Sequence, residues 1–217
     1  MGNRREDAPL SIIKRLPVYL RVLDNLVKRD IDVISSRNLS KETGFTAEQI
    51  RKDLAYFGAF GTRGTGYNTS YLREKVLRII GLDKPTNVVV VGAGHLGTAF
   101  ARYNIQENPY TNVVAIFDVN PELVGDNVDG VEIYHLNKLE EVIENESVSV
   151  GVLTVPAVHA QEVVNRFVEV DIRAILNFAP SKLSAPENVR IHDVDLTIEL
   201  QSLIYYSTAD AKEREKL

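Results

Sequence analysis

A run of four valines leads directly into a glycine-rich turn near the middle of this 217-residue chain, a combination that few folds accommodate. Val88–Val91 is typical of a buried strand, and the glycines that follow, at 92, 94 and 97, have the G-x-G-x-x-G spacing. Helix-forming residues then extend from Thr98 to Glu107. The glycine spacing alone is weak support, but strand, glycines and helix in this order are typical of a dinucleotide-binding turn.

Each glycine of this turn is expected to have its own role. Gly92 permits the tight turn, Gly94 lets the backbone approach a pyrophosphate, and Gly97 lets the helix pack closely on the strand. The pyrophosphate is expected at the start of the helix, where free amide groups point outward. The candidate residues of the turn are Gly92, Ala93, Gly94, His95, Leu96 and Gly97.

An acidic residue ends the next predicted strand. This strand covers Asn112–Phe117, and Asp118 follows it, about 20 positions beyond the last glycine. A carboxylate at such a position accepts hydrogen bonds from the adenosine ribose hydroxyls and repels a 2′-phosphate. The sequence therefore predicts that the cofactor is NADH or NAD⁺ rather than a phosphorylated form.

The rest of the chain alternates strands and helices. Strands are predicted over Ser147–Val155, Ala174–Leu176 and Val189–His192, with a helix over Ala157–Glu169 between the first two. This alternation predicts a parallel, doubly wound sheet, whose ligands bind beyond the carboxyl ends of the strands. The residues expected to flank the nicotinamide half are Thr154, Val155, Pro156, Asn177 and Phe178.

The first 84 residues have the signature of a helix-turn-helix. A helix with apolar residues at three- and four-residue spacing is predicted over Ser11–Arg29, with a kink at Pro17. A short helix over Ser36–Thr43 then stops at Gly44, and Thr46 begins a third helix with a capping box. Two helices joined by a glycine-containing turn are typical of DNA-binding proteins.

The third predicted helix has a polar outward face. Its apolar residues share the opposite face, while Arg51 and Lys52 point outward; a merely solvated helix face is the alternative. Gly58–Tyr67 follows with four glycines in ten residues and predicts a β-hairpin wing with Arg63 at its tip, a flexible linker being the alternative. The candidate DNA-contacting residues are Thr46, Gln49, Arg51, Lys52, Tyr56 and Arg63.

Charge and composition narrow the function classes. Residues 1–85 hold 16 Lys and Arg against 10 Asp and Glu, whereas residues 86–217 hold 9 against 20, which favours a polyanion-binding first domain. Cysteine is absent, which excludes disulfides, Cys-ligated zinc and thiol chemistry. No apolar stretch approaches the roughly 18 residues of a membrane span, and the start is not a signal peptide, so we expect a cytoplasmic protein without membrane contact.

The sequence favours a regulator over an enzyme. A dehydrogenase needs a general acid or base beside the carbon that takes the hydride, and it normally carries a substrate domain. About 130 residues follow Pro85, and these accommodate the nucleotide fold and one tail helix. His159 is the candidate base to check first, although such a residue is more often a surface or packing residue. We therefore predict no catalytic residue and no metal site.

The final predicted helix, Thr197–Leu217, is too apolar at its start for a free surface. We expect it to dock on a partner subunit, and packing on its own sheet is the alternative. The apolar residues at issue are Leu196, Ile198, Leu200, Leu203, Ile204, Tyr205 and Tyr206.

Over essentially its whole length the chain resembles the Rex family of redox-sensing transcriptional repressors. The most specific match is Gln49–Gly58, continued by Gly61–Tyr67. Further support comes from Gly92–Gly97, Leu153–Pro156 and Ile175–Pro180. The resemblance implies a homodimer that binds a palindromic double-stranded operator when NADH is scarce and leaves it when NADH binds.

The resemblance also implies a set of switch residues and a role for the last helix. Tyr103 and Asp195 are expected near the nicotinamide ring, where they change partners, and Arg15 is expected to pair with Asp195 in one state. A solvated Arg15 and a helix-capping Asp195 are the plain alternatives. The last helix is expected to be exchanged between the subunits of the dimer.

Together these features predict an α/β protein in three parts. A winged helix-turn-helix domain is expected over residues 1–84, a Rossmann-like doubly wound parallel sheet over 85–195, and a swapped dimerisation helix over 196–217. Two other functions stay open, namely a small NAD-dependent oxidoreductase with an N-terminal interaction domain and a winged-helix regulator that senses another nucleotide, such as a CoA ester.

Overall fold

The computed structural model describes residues 8–62 and 64–214. The chain divides into two compact units, one ending at Lys84 and the other beginning at Pro85. Within the described residues, no helix combines the length and the apolar character needed to cross a membrane.

The described residues of the first unit form five helices and a small antiparallel sheet. The strands β1, β2 and β3 pair in the order β1-β3-β2, so that β2 and β3 form a hairpin and β1 extends it. The elements are α1 (Leu10–Ile13), α2 (Leu16–Lys28), β1 (Val33–Ile34), α3 (Ser36–Thr43), α4 (Ala47–Phe57), β2 (Gly61–Thr62), β3 (Gly66–Asn68) and α5 (Thr69–Ile80). Its core includes Leu23, Leu39, Ile50, Leu54, Leu72 and Val76.

The turn between α3 and α4 forms as the sequence predicts. Gly44 takes the left-handed conformation, at φ 77°, and ends α3. The Thr46 hydroxyl then accepts a hydrogen bond from the Gln49 amide and caps the start of α4. A glycine stop followed by a capped start therefore sets the angle between the two helices.

The prediction of one kinked helix over Ser11–Arg29 is wrong. The structure has two helices, α1 and α2, which are separated at Lys14 and Arg15. Pro17 lies in the first turn of α2, where a missing amide hydrogen breaks no helical hydrogen bond. Proline therefore begins a helix here rather than bending one.

The second unit is a seven-stranded sheet with helices on both faces. The strand order is β10-β9-β8-β4-β5-β7-β6, and every pairing is parallel except that of β6 with β7. The elements are β4 (Thr86–Val91), α6 (His95–Glu107), β5 (Thr111–Asp118), β6 (Asn127–Val128), β7 (Val131–His135), α7 (Leu139–Asn145), β8 (Val150–Leu153), α8 (Ala157–Glu169), β9 (Ala174–Asn177), β10 (Arg190–Asp193) and α9 (Leu196–Arg214).

The six parallel strands have the Rossmann order, with the chain reversing direction across the sheet between β4 and β8. The valines of β4 explain its central position. Val89 and Val91 pack in the cluster that includes α7 and α8, whereas Val88 and Val90 pack in the cluster that includes Ala101 of α6. A strand buried on both faces needs an unbroken apolar run, and Val88–Val91 supplies it.

Four short elements were not predicted from the sequence. They are β1, β6, β7 and α7, each of at most seven residues. Strands β1 and β6 have two residues each, which is too short for any periodicity to show. Their pairing partners, rather than their own composition, place them in the sheets.

The tail helix α9 does not bury its first apolar side chains within this chain. Leu196, Ile198, Leu200 and Leu203 are each more than half exposed. The alternative in which this helix packs on its own sheet is therefore not what the structure has. The apolar residues also lie on both sides of the helix, since Ile198 is roughly opposite Leu200 at about 100° per residue.

Candidate nucleotide cavity and nucleic-acid interface

A cavity of about 550 Å³ lies at the carboxyl ends of β4, β5 and β8, where the strand order reverses. This is the position at which Rossmann-type sheets bind their ligands. The predicted cofactor residues that line it are Gly92, Gly94, Asp118, Thr154, Val155 and Pro156.

The Asp118 carboxylate is held in a defined orientation at the end of β5. One oxygen, Oδ2, accepts a hydrogen bond from the Ala93 amide at 2.6 Å, and Oδ1 accepts one from the Asn120 amide at 2.8 Å. Asp118 therefore connects the glycine turn to β5 while it lines the cavity. The remaining lone pairs of a carboxylate fixed in this way are available to ligand hydroxyls.

Two glycines of the turn are required by the protein itself. Gly92 has φ 105°, and a Cβ there would lie 2.8 Å from the carbonyl carbon of Thr154. A Cβ on Gly97 would collide with the carbonyl oxygen of Gly92. The Thr154 hydroxyl completes this close packing by donating to the carbonyl oxygens of Val91 and Gly92, at 3.0 and 2.8 Å.

Gly94 differs from these two glycines, because among the described residues no atom beyond Gly94 and its two chain neighbours lies within 4 Å of the place where its Cβ would be. Its φ of −69° is accessible to any residue, and its side of the turn is open. Gly94 also begins α6 without a side-chain cap, which leaves the first amides of the helix unused. An open position beside free helix amides fits a phosphate group.

The cavity also contains residues that were not predicted to bind the cofactor. Val119 and Leu136 add apolar surface, while His159 and Glu162 of α8 add polar groups. His159, Glu162 and Val163 follow Thr154–Pro156 at three- and four-residue spacing, which places them on one face of α8. This spacing was the sequence signal that could have identified them. Among the described residues, no group of three or more His, Asp or Glu is placed to hold a metal ion.

Seven predicted cofactor residues lie outside the lining of this cavity, namely Ala93, His95, Leu96 and Gly97 of the glycine turn, and Tyr103, Asn177 and Phe178. The buried Asn177 amide donates to the Ala179 carbonyl at 3.0 Å and to Asp193 Oδ1 at 2.8 Å, so it shapes the loop after β9. The Phe178 ring packs edge-on against Phe100, at 5.7 Å between centroids. Tyr103 of α6 is 65% exposed.

Arg15 and Asp195, which the resemblance pairs in one state, each have partners within their own unit of this structure. The Arg15 guanidinium donates to both carboxylate oxygens of Asp53, at 2.6 and 2.8 Å. Asp195 accepts from the backbone amides of Thr197 and Ile198, at 2.9 and 3.1 Å, and so caps α9. Asp195 thus has the contacts of the capping alternative here, neither expectation for Arg15 had included Asp53, and the pairing of Arg15 with Asp195 in another state stays a prediction.

The outward face of α4 carries the predicted DNA-contacting side chains. Gln49, Arg51 and Lys52 are exposed, and Tyr56 is partly buried at the edge of this face. Arg51 donates to the Ser36 hydroxyl at 3.0 Å, and Lys52 pairs with Glu48 at 2.7 Å. These exposed contacts are weak and exchange readily for phosphate contacts.

A groove of about 480 Å³ separates α4 from the β2–β3 hairpin, with Arg51 and Ala55 on one wall and Phe60 and Thr62 on the other. Helix, groove and hairpin have the arrangement expected of a recognition helix with a wing. Arg63, the predicted wing tip, lies outside the described residues.

Comparisons with family models match both parts of the chain. A family described as "Putative DNA-binding protein N-terminus" matches residues 7–55. A family described as "CoA binding domain" matches residues 83–181.

Similar proteins cover almost the whole chain. The redox-sensing transcriptional repressor Rex of Natranaerobius thermophilus is 74% identical over 97% of this chain and 96% of its own. Rex of Bacillus licheniformis is 44% identical over 95% of this chain and 96% of its own. The solved structure of RSP with β-NAD⁺ and operator DNA is 38% identical, with a TM-score of 0.87, and covers 96% of both chains. RSP with β-NADH gives a TM-score of 0.83 at 37% identity, over 97% of this chain and 99% of its own.

Proposed function

The chain belongs to the Rex family of redox-sensing transcriptional repressors, and we propose that it represses transcription by binding an operator that it releases when NADH binds. The observation that carries this proposal is the pairing of two sites in one chain. One is a cavity at the switch point of a Rossmann sheet, and the other is a helix, groove and hairpin with exposed Arg and Lys.

The residues of the second unit fit an NAD(H) molecule. The pyrophosphate is proposed to lie over Gly94 and the free amides at the start of α6, and Asp118 to accept hydrogen bonds from the adenosine ribose. The nicotinamide half is assigned to the Thr154–Pro156 side of the cavity. When bound, the cofactor supplies a ring whose reduction removes one positive charge and makes C4 tetrahedral.

Release of DNA requires that NADH bind the DNA-free form of the protein more tightly than the DNA-bound form. A ligand shifts an equilibrium only as far as it prefers one state, and a change from 1:99 to 99:1 needs about 10⁴-fold, or roughly 5.5 kcal/mol. In a dimer that binds two cofactors, each cofactor has to contribute a preference of about 100-fold for one state. The preference must arise at the nicotinamide ring, because the rest of NADH and NAD⁺ is identical.

The DNA-bound form is proposed to be a homodimer on a palindromic operator. The exposed leucines on α9 need a second surface, and a second copy of the chain supplies one of matching symmetry. Two recognition helices related by a two-fold axis then read two half-sites. Because its proposed ligand is operator DNA, we assign the protein to the compartment that holds the chromosome.

Catalysis is not part of the proposed function. His159 was the candidate base, and it lines the same cavity as Asp118 and Leu136. The proposal rests instead on the relatives of this chain, which are named as transcriptional repressors. Steady oxidation of NADH with any small carbonyl substrate would support the oxidoreductase alternative.

A CoA ester is the second candidate ligand, because residues 83–181 match a family described as a CoA binding domain. The ribose of CoA carries a 3′-phosphate, which the fixed Asp118 carboxylate disfavours electrostatically. Thermal unfolding with NADH, NAD⁺, ATP and acetyl-CoA at one concentration separates the candidates, since the ligand that binds most tightly raises the Tm most. Stabilisation by acetyl-CoA alone would exclude the NADH sensor.

The direct test is operator release. The wild-type protein is bound to the palindromic duplex that it selects from a random pool, and NADH is titrated at a fixed excess of NAD⁺ while fluorescence anisotropy is recorded. We expect DNA affinity to fall at least 100-fold at saturating NADH and to be unaffected by NAD⁺ alone. Equal DNA affinity with no cofactor, NAD⁺ and NADH would exclude the sensor function.

Asp118→Ala is expected to weaken NADH binding about 10- to 100-fold, because hydrogen bonds to a charged acceptor contribute roughly 1.5–3 kcal/mol. It should also reduce the preference for NADH over NADPH, since the repelling charge is gone. Calorimetric titration of both cofactors measures the two effects. Glu107→Ala, an exposed acid at the other end of α6, is the matched control and should bind NADH normally. Equal wild-type affinity for NADH and NADPH would contradict the role of Asp118.

A further inference from the structure

The recognition helix contains an acid that faces inward. Asp53 is 3% exposed, and it is the only charged residue classed as buried among those the structure describes. It lies between Ile50 and Leu54 on the face of α4 that packs into the first unit. An acid at such a position is costly to bury unless its charge is matched by partners.

Asp53 has a complete set of partners on the neighbouring helix. Arg15, at the start of α2, donates from Nε to Oδ2 at 2.6 Å and from a terminal nitrogen to Oδ1 at 2.8 Å. The hydroxyl of the fully buried Tyr19 donates to Oδ2 at 2.6 Å. Burial, and then the neighbouring carboxylate, raise the pKa of Tyr19, so this hydroxyl remains a donor at all physiological pH values.

Phe45, in the turn between α3 and α4, closes the cluster. The Arg15 guanidinium lies 5.9 Å from the centroid of the Phe45 ring, and the Tyr19 ring packs edge-on against the same ring at 5.7 Å. The cluster therefore joins the start of α2, the helix-turn-helix turn and the recognition helix. Each member restricts the orientation of another.

Directional bonds restrict α4 in a way that apolar packing does not. Leucine and isoleucine side chains tolerate small rotations of a helix, because dispersion contacts have little angular preference. A two-pronged arginine–carboxylate pair has a narrow geometry, and a rotation of α4 would break it in a buried place. The same rotation would move Arg51 and Lys52, which lie two residues and one residue before Asp53.

We propose that Asp53 is a positioning residue for operator recognition. Its bonds to Arg15 and Tyr19 hold α4 at the one rotation about its axis that presents its outward face to the base edges. This proposal rests on the proposed DNA-binding function of α4. Asp53 itself does not contact DNA in this scheme. Its effect is on the discrimination between operator and other sequences rather than on attraction to phosphates.

Asp53→Asn tests the proposal by the direction in which it changes operator affinity. Removing a negative charge next to Lys52 strengthens DNA binding if charge alone matters, whereas loss of positioning weakens operator binding. We expect affinity for the selected palindromic duplex to fall at least 10-fold, and affinity for a scrambled duplex of the same length to change less than 2-fold. NADH affinity, a property of the second unit, should stay at the wild-type value.

Arg51→Ala is the comparison variant, because it removes a proposed DNA contact directly. It should lower the slope of log affinity against log salt concentration by up to about 0.9, the contribution of one phosphate contact. Asp53→Asn should leave that slope unchanged while it lowers operator affinity. A changed slope for Asp53→Asn, or operator binding equal to or tighter than wild type, would overturn the proposal.

Tyr19→Phe keeps the proposal testable if Asp53→Asn does not fold, since it removes one hydrogen bond and no charge. It should lower the ratio of operator to scrambled-duplex affinity about 3- to 10-fold. The double variant should lose little more than Asp53→Asn alone, because both changes act on one cluster. An unchanged ratio for Tyr19→Phe would also overturn the proposal. Failure of the wild-type protein to distinguish the two duplexes would instead refute the proposed function.

Discussion

Gly94→Ala is expected to lower NADH affinity at least 100-fold, which corresponds to about 2.7 kcal/mol, while the protein without cofactor folds normally. The reason is the open space around this residue, where an added Cβ comes within 4 Å of no described residue beyond its two chain neighbours. The φ of −69° suits alanine, so the backbone needs no change. The methyl group would instead occupy the place proposed for the pyrophosphate. Calorimetric titration of NADH and thermal unfolding of the cofactor-free protein measure the two quantities.

Gly97→Ala provides the contrasting control for this experiment. A Cβ at Gly97 would collide with the carbonyl oxygen of Gly92, so this variant is expected to lose thermal stability before any cofactor is added. The pair thus separates a glycine kept for a ligand from one kept for packing. Wild-type NADH affinity in Gly94→Ala would mean that the pyrophosphate does not approach this turn, and the assignment of the cavity would fail with it.

Leu203→Glu is expected to convert the proposed dimer to a monomer and to lower operator affinity by 100-fold or more. Leu203 is 65% exposed within the chain, so a glutamate there costs the fold little. Buried against a second copy, the same carboxylate would be desolvated without a partner. Loss of the second half-site removes the gain from linked binding, about 10²–10⁴-fold. Sedimentation velocity gives the mass, and anisotropy gives the DNA affinity.

Gln201→Glu is the control for the tail helix, because it adds the same charge at an exposed polar position two residues away. It should remain dimeric and bind the selected duplex as wild type does. NADH binding should survive in Leu203→Glu, since the cavity lies within one chain. A Leu203→Glu variant that keeps the wild-type mass and DNA affinity would show that α9 has another role.

The nucleotide cavity was largely predictable, because its determinants are local in sequence. The valine run, the glycine spacing and Asp118 occur within about 30 residues, and strand–turn–helix geometry follows from them. The rest of the cavity lining was harder to predict from the sequence. Leu136, His159 and Glu162 reach the cavity from separate elements, and their shared location follows from the strand order.

In the DNA-binding unit, too, local features were predictable from the sequence and contacts between elements were not. Gly44, which ends α3, and Thr46, which caps α4, were predictable from the sequence because each acts on neighbouring residues. The break before Pro17 was missed, since proline is compatible with both a kink and a first turn. Asp53 was overlooked although residues 50, 53, 54 and 57 share the spacing of the inward face. The resemblance had suggested Asp195 as a partner of Arg15 in one state, and only the tertiary structure revealed the bond from Arg15 to Asp53.

The sequence by itself determined the order of the longer strands and helices, the nucleotide-binding turn and the charged face of α4, since each depends on residues a few positions apart. The tertiary structure alone decided which distant groups meet. It brought Arg15, 38 residues away in the chain, to Asp53, and it left Gly94 open while closing the space around Gly97. The physical reason is that hydrogen bonding within an element is set by local periodicity. Contacts between elements depend instead on packing, which no single segment encodes.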